Sequence, residues 1–233
     1  LGSDDPILAL KDVRYRWAGR ASFALAIADF SILPAQRVLL LGESGSGKST
    51  LLSLICGTIT PLSGSVAVAG TDIAALSPAK RDRFRAEEIG LIFQQFNLLP
   101  YASVLDNILL PLRFAPLRRA RVASPQQAAR SLCSDLGLSE DAVSAQAGTL
   151  SVGQQQRVAA ARALIGAPPL IIADEPTSAL DAATQATFLE LLFAQTRSCD
   201  STLLMVSHDA RLGVHFDRVV EMSQIAPAMQ VGA

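Results

Sequence analysis

The stretch Leu39 to Ser53, LLLGESGSGKSTLLS, constrains this chain more than any other part of it. Gly42 to Ser49 matches the spacing G-x-x-x-x-G-K-[ST], and its flanks fit. Arg37 to Leu41 (RVLLL) reads as a short buried strand. Leu51, Leu52, Leu54 and Ile55 recur as one helical face that Gly57 closes. Gly42, Gly45 and Gly47 let successive backbone N–H groups curl inward around a polyphosphate, and the helix start adds its partial positive charge. Lys48 is expected to reach the β- and γ-phosphates, and the Ser49 hydroxyl to face Mg²⁺. Glu43, Ser44, Ser46 and Thr50 belong to the same phosphate cradle. An ordinary Gly/Ser turn explains neither the lysine nor the order strand, loop, helix.

At 233 residues the chain fits one large α/β domain, or a core with an inserted lobe. A formal charge of −1 and a pI near 6.2 give no global electrostatic reason to expect a nucleic-acid partner. The basic run Lys80 to Arg85 (KRDRFR) reads as a solvated helix face, because Asp82, Glu87 and Glu88 lie among and after its charges. Cys56, Cys133 and Cys199 are far apart, which points to buried thiols in a reducing compartment and not to a zinc site. Half the residues are hydrophobic and mean hydropathy is +0.33, yet no apolar run reaches bilayer length. Excess apolar surface without a spanning segment points to docking against other subunits. No signal peptide is visible, and Leu1-Gly2-Ser3, which lack a Met, carry no weight.

From Ile7 to Ile32 apolar and polar residues alternate around a turn at Ala18-Gly19-Arg20, the pattern of two antiparallel strands. Ser65 to Ala69 (SVAVA) is another short strand. Ser77-Pro78 opens a polar helix running through Glu87, and Ile89 to Phe93 (IGLIF) is a buried strand. Between Gln94 and Ala147 the β pattern vanishes, and helices are broken by Pro100, Pro111, Pro116 and Pro125. An alanine-rich helix follows from Val152 to Leu164, ended by Pro168-Pro169. A strand at Leu170 to Ala173, a helix from Ala182 to Thr196 and strands at Ser201 to Ser207 and Arg218 to Met222 complete an alternating α/β core.

Two further features carry chemistry. Leu170 to Glu175 (LIIADE) is an apolar strand ending in adjacent carboxylates, where strand ends of an α/β sheet line a ligand crevice. Asp174 suits Mg²⁺ through water, and Glu175 suits the polarisation of a water attacking the γ-phosphate. Leu150-Ser151-Val152-Gly153-Gln154 precedes the alanine-rich helix. It reads equally as a second anion site at a helix start and as a simple N-cap by Ser151.

Together these motifs make the chain resemble the nucleotide-binding subunit of an ATP-binding cassette (ABC) transporter, over nearly its whole length. Gly42 to Ser49 resembles the Walker A motif, Leu170 to Glu175 the Walker B motif, and Leu150 to Gln154 the family signature LSGGQ. Gln94 resembles the Q-loop glutamine that senses Mg²⁺ and the membrane subunit. Ser178-Ala179-Leu180-Asp181 resembles the D-loop, and His208 in MVSHD the switch histidine that contacts the γ-phosphate. Trp17 falls where the family places an aromatic that stacks on adenine, with Tyr15 as second choice.

The resemblance implies a P-loop NTPase core with an N-terminal antiparallel β subdomain and an inserted α-helical subdomain. It places one ABC ATPase domain over residues 6–233. The β lobe takes 6–36, the nucleotide core 37–93 and 166–222, and the helical lobe 94–165. ATP and Mg²⁺ are the implied ligands, with Glu175, His208 and Gln94 catalytic and Ser49, Gln94 and Asp174 about the metal. Ser151, Gly153, Gln154 and Asp181 join the nucleotide site. A second copy of the cassette and an integral membrane permease are the implied partners, with no nucleic acid. The implied location is peripheral, at the cytoplasmic face of the inner membrane.

Two departures stand out. Val152 replaces the usual signature glycine, and a branched side chain there is expected to restrict the closed geometry. Glu221 to Ala233 lacks the usual Asp-Gly hairpin, so no appended regulatory module is expected. Ile92 to Leu112 and QQQRVAAARAL are similar to cassettes of the lipoprotein-release and macrolide-export type, though amino-acid importers share much of this pattern. A soluble ABC ATPase acting on ribosomes or DNA would be expected to carry a second cassette, coiled coils or zinc insertions. A small-molecule kinase would leave the signature and His208 unexplained.

Overall fold

The computed structural model describes residues 5–17, 24–178 and 180–226. The turn expected at Ala18-Gly19-Arg20, Ala179 of the Ser178 to Asp181 segment and the end of the C-terminal stretch lie outside the described residues. In chain order the elements begin with β1 (Leu8–Arg16), β2 (Ala24–Ile32), β3 (Arg37–Leu41), α1 (Lys48–Ile55), β4 (Ser63–Val68), β5 (Thr71–Asp72), α2 (Pro78–Glu88) and β6 (Ile89–Ile92). Next come α3 (Val104–Leu109), α4 (Pro116–Ala120), α5 (Pro125–Asp135), α6 (Glu140–Ser144) and α7 (Val152–Leu164). The last are β7 (Leu170–Asp174), α8 (Ala182–Ser198), β8 (Thr202–Ser207), β9 (Arg218–Glu221) and α9 (Met222–Ile225). They fall into two compact units, one made of the described residues up to Arg85 and from Leu204, the other of Ala86–Leu203.

In the first unit, β1 pairs antiparallel with β2, setting Leu8 opposite Ile32, Leu10 opposite Phe30 and Val13 opposite Ile27. The buried alternation read from the sequence therefore points these six side chains into one core. The other edge of β1 takes β4, with Val66 facing Leu10 and Val68 facing Leu8, and β5 closes the order β2-β1-β4-β5. The SVAVA strand thus joins the antiparallel sheet, because its Val66/Val68 alternation suits a sheet with one covered face. β3, by contrast, buries Val38, Leu39 and Leu40 completely and runs parallel to β9. That double burial suits a parallel strand covered on both sides, and it delivers the chain to the glycine loop from a fixed base. Arg37 secures the start of the pair, its backbone N–H and Nε both donating to Asp217 Oδ2 at 2.8 and 3.1 Å.

In the second unit β6 runs parallel to β7, Ile89 opposite Leu170 and Ile92 opposite Ala173. Pro116 and Pro125 sit in the first turns of α4 and α5, where the missing N–H costs nothing. The alanines of α7 let it lie almost on the backbone of β6. A Cβ on Gly90 would come within 2.3 Å of the Ala163 carbonyl oxygen, so only glycine fits there.

Arg118 locks this contact. Only 1% exposed, it donates Nε to the carbonyl of Ile165 and Nη2 to that of Ala163, both at 2.6 Å, and Nη1 to Ala86 at 3.2 Å. Burial, with Arg121 nearby, pulls its pKa down to about 10, which leaves it charged at neutral pH. Glu87, expected on a solvated face, is in fact buried. Its carboxylate accepts the backbone N–H groups of Leu117 at 3.0 Å and Arg118 at 2.6 Å, capping α4. A charge run read by composition alone does not reveal that one of its members has turned inward.

Candidate functional site

The first unit gathers the glycine loop, Trp17 and His208. Within the loop Gly45 takes φ 82°, and a Cβ built on it would meet nothing within 4 Å. Backbone conformation, not lack of space, is therefore what calls for glycine at that bend. Gly47 is the N-cap of α1 at φ 102°, a conformation that side chains disfavour, and it supplies no side-chain cap to the helix start. No acidic residue lies in the first turn of α1. Its N–H donors and dipole are therefore available to an anion. Lys48, 8% exposed, curls its Nζ back onto the carbonyls of Gly42 at 2.6 Å and Glu43 at 2.8 Å. An ammonium has three donors, so one remains for a ligand. Ser46 Oγ is buried and has no hydrogen-bond partner among the described residues. A helix start without a side-chain cap, a buried ammonium and an orphaned hydroxyl together fit a phosphate chain.

Trp17 lies against this loop. Its indole Nε1 donates to Thr50 Oγ1 at 3.2 Å, and its ring stands at 88° to Tyr15 with centroids 5.3 Å apart. Tyr15 is half-buried and Trp17 is 38% exposed, so Trp17 is the aromatic presented beside the first turn of α1. His208, exposed, directly follows β8. The next residue, Asp209, is held by Arg211 through two bonds of 2.8 Å, which drives its carboxyl down to about 2. Asp209 thus fixes the turn after His208 and remains a carboxylate at neutral pH.

The second unit carries Gln94, the Ser151 turn, Asp174, Glu175 and Asp181. Gln94 is exposed, just past the end of β6. The residues after it are constrained: Phe96 and Asn97 both have positive φ, 57° and 50°. Arg162 of α7 donates to their two carbonyls at 2.5 and 2.6 Å, and burial lowers its pKa. Ser151 is the N-cap of α7 in a complete capping box. Its Oγ accepts the Gln154 N–H at 3.3 Å, and Gln154 Oε1 accepts the Ser151 N–H at 2.9 Å. Val152 sits in the first turn of α7, 50% exposed, so it neither disrupts the box nor packs into the core.

β7 ends at Asp174, and Glu175 then takes φ 43° ahead of Pro176. Left-handed backbone is uncommon for a side-chain-bearing residue, and such strain clusters at functional sites. The turn is held from outside: Gln156 donates to the Pro176 carbonyl at 2.6 Å, and Gln185 to Thr177 Oγ1 at 2.8 Å. Asp181 caps α8 through the N–H groups of Ala183 and Thr184 and the Thr184 hydroxyl, which lowers its pKa. Among the described residues no cluster of three His, Cys, Asp or Glu side chains forms a metal cage. Mg²⁺ commonly needs none, since it is held by one or two carboxylates and the phosphates themselves.

Gln156 and Arg162 were not singled out by sequence reasoning. Their signal was a long polar side chain on the buried, alanine-rich face of a helix, legible only once that face is known.

A glycine loop between a buried parallel strand and a helix, in an alternating α/β chain with an antiparallel sheet, defines a P-loop NTPase. The chain belongs to the ABC transporter family, whose pattern matches residues 25–178. It is 42% identical over 199 residues to the lipoprotein-releasing system ATP-binding protein LolD of Syntrophotalea carbinolica, covering 85% of this chain and 86% of that one. It is 41% identical over 193 residues to the macrolide export ATP-binding/permease protein MacB of Rhodopirellula baltica, covering 82% of this chain but 28% of that much longer one. Among solved structures, the dimeric post-hydrolysis state of the ATP-binding cassette MJ0796 bound to ADP and Pi superposes with a TM-score of 0.77. That match is at 32% identity and covers 92% of this chain and 93% of that one.

Proposed function

We propose that this chain is the ATP-hydrolysing subunit of a transporter of the export or mechanotransmission type, working as a pair of copies on the cytoplasmic side of a membrane permease. One observation carries the nucleotide assignment: α1 begins without a side-chain cap beside the buried ammonium of Lys48 and the orphaned hydroxyl of Ser46. The transporter type rests on similarity to the lipoprotein-releasing and macrolide-export relatives, and the pairing on the dimeric cassette that resembles it. No helix among the described residues is long and apolar enough to cross a membrane, which fits a peripheral subunit.

In this reading the glycine loop from Gly42 to Ser49, with Glu43, Ser44, Gly45, Ser46 and Thr50, wraps the phosphates of ATP, and Trp17 stacks on the adenine. Lys48 keeps its two loop carbonyls and donates its third N–H to a phosphate oxygen. Mg²⁺, held by Ser49, Asp174 and Gln94, would neutralise charge on the phosphates. Ser151, Gly153 and Gln154 of one copy face the nucleotide cradled by the other, and Asp181 joins them at the junction. Glu175 accepts a proton from the attacking water while His208 holds the γ-phosphate. Binding closes the pair and hydrolysis reopens it, and the permease follows that cycle.

The test is Glu175→Gln. Removing the base should leave ATP binding intact, stop turnover and accumulate a closed pair visible by size-exclusion chromatography in ATP and Mg²⁺. Undiminished phosphate release, or a variant that stays monomeric under saturating ATP with the permease present, would overturn the reading.

A further inference from the structure

Gln156 lies on α7 just past the signature turn, yet it is only 1% exposed. Its Nε2 donates to the Pro176 carbonyl at 2.6 Å, while its Oε1 is buried with no partner among the described residues. A buried acceptor left unpaired is unfavourable, and a methionine of similar length would fill the same space without it. Space-filling alone therefore does not account for glutamine here; what the amide adds is its bond to the Pro176 carbonyl. The carbonyl it holds belongs to the residue after Glu175, whose left-handed φ of 43° is doubly constrained by the following proline. Gln185 grips the same turn from outside, further along, at Thr177. Within the turn the Ser178 N–H donates to the Glu175 carbonyl at 3.3 Å, a long bond.

We infer that Gln156 is a positioning residue that holds the turn bearing Glu175 in its working geometry by tying it to the signature helix. The inference rests on the proposed role of Glu175 as general base. Because α7 begins at Ser151, engagement of that turn by a second copy's nucleotide and the placement of this copy's own base are joined through one side chain and one helix. The donor matters and the side-chain volume does not.

The experiment compares Gln156→Met, which keeps the volume and loses the donor, with Gln156→Glu, which keeps the shape and an acceptor but cannot donate when ionised. Each is measured for kcat, for KM, for ATP binding and for thermal midpoint, and Gln156→Met is also combined with Glu175→Gln. A tenfold or greater loss of kcat is expected in both single variants, with ATP binding within twofold of the parent and the midpoint of Gln156→Met within a few degrees. In the double variant the residual turnover should equal that of Glu175→Gln alone, since a group acting only through Glu175 has nothing left to position. Full-speed turnover in Gln156→Met overturns the inference. So does a loss of kcat that tracks loss of ATP binding, or a further loss in the double variant. If Glu175→Gln itself keeps full turnover, it is the general-base assignment that fails, whatever Gln156 does.

Discussion

Two helix starts in this molecule follow the same recipe in sequence, small residues before an apolar helix, and end differently. α1 begins at Gly47 with no side-chain cap, and Ser46 Oγ beside it has no partner among the described residues. α7 begins at Ser151 with both halves of a capping box made. The first has no side-chain cap competing with a ligand, whereas at the second the N–H groups of Ser151 and Gln154 are already paired within the box. In the function proposed above, a nucleotide brought by a second copy would meet the donors that the box itself does not use, the Ser151 hydroxyl proton and the N–H groups of Val152 and Gly153. In the proposed function the first start would bind nucleotide within one copy, and the second would complete the site across the pair.

The largest test of that contrast is Lys48→Ala. Removing a charged donor from the uncapped start should lower phosphate release by on the order of 10²–10³-fold and weaken ATP binding in the single copy. A variant that still binds ATP with parental affinity would break the comparison. Next is Gly47→Ala: at φ 102° a Cβ should cost about 1–2 kcal/mol in urea denaturation, together with a loss of nucleotide binding. Ser151→Ala should cost about 1 kcal/mol as the loss of an N-cap, and should weaken ATP-driven pairing while leaving ATP binding by one copy unchanged. Equal damage to single-copy binding would show that the two starts do not divide the work.

The smallest effect concerns α8, a third start, capped by Asp181. Thr184 holds that carboxyl below its usual range, so the folded pKa is depressed. Its stabilisation is complete above the unfolded pKa of about 3.9 and is lost as pH falls through the lower, folded value. The urea midpoint of the parent should therefore exceed that of Asp181→Ala by a constant margin from pH 7 to 5, and the margin should shrink by pH 3.

Much of the nucleotide side of the fold was legible because its signals are local. The sequence RVLLL, then glycines at fixed spacing, then an apolar helical face, places strand, loop and helix without reference to anything distant. The positive φ at Gly45 and Gly47 is what that spacing anticipates, since the bend needs residues without a Cβ. At the start of α7 the sequence offered an N-cap by Ser151, and the structure extends that cap to a box with Gln154, three residues on. Local reading stops short where a partner is remote in sequence. SVAVA has a correct strand pattern, but whether it lies beside β1 or in the parallel set is decided by which apolar face needs covering. Glu87 looks like a solvated charge until α4, some thirty residues on, brings its bare N–H groups to it.

The sequence by itself determined the order of strand, glycine loop and helix, the carboxylates at the end of β7 and the alternation of strands and helices, because each depends on spacing within one or two elements. Tertiary structure alone decided that Trp17 reaches Thr50 from 33 residues away, that Arg162 holds the backbone after Gln94, and that Gln156 grips the turn of Glu175. Those contacts join groups whose closeness is set by packing. A hydrogen bond needs its partners within about 3 Å, a condition that no pattern along the chain expresses.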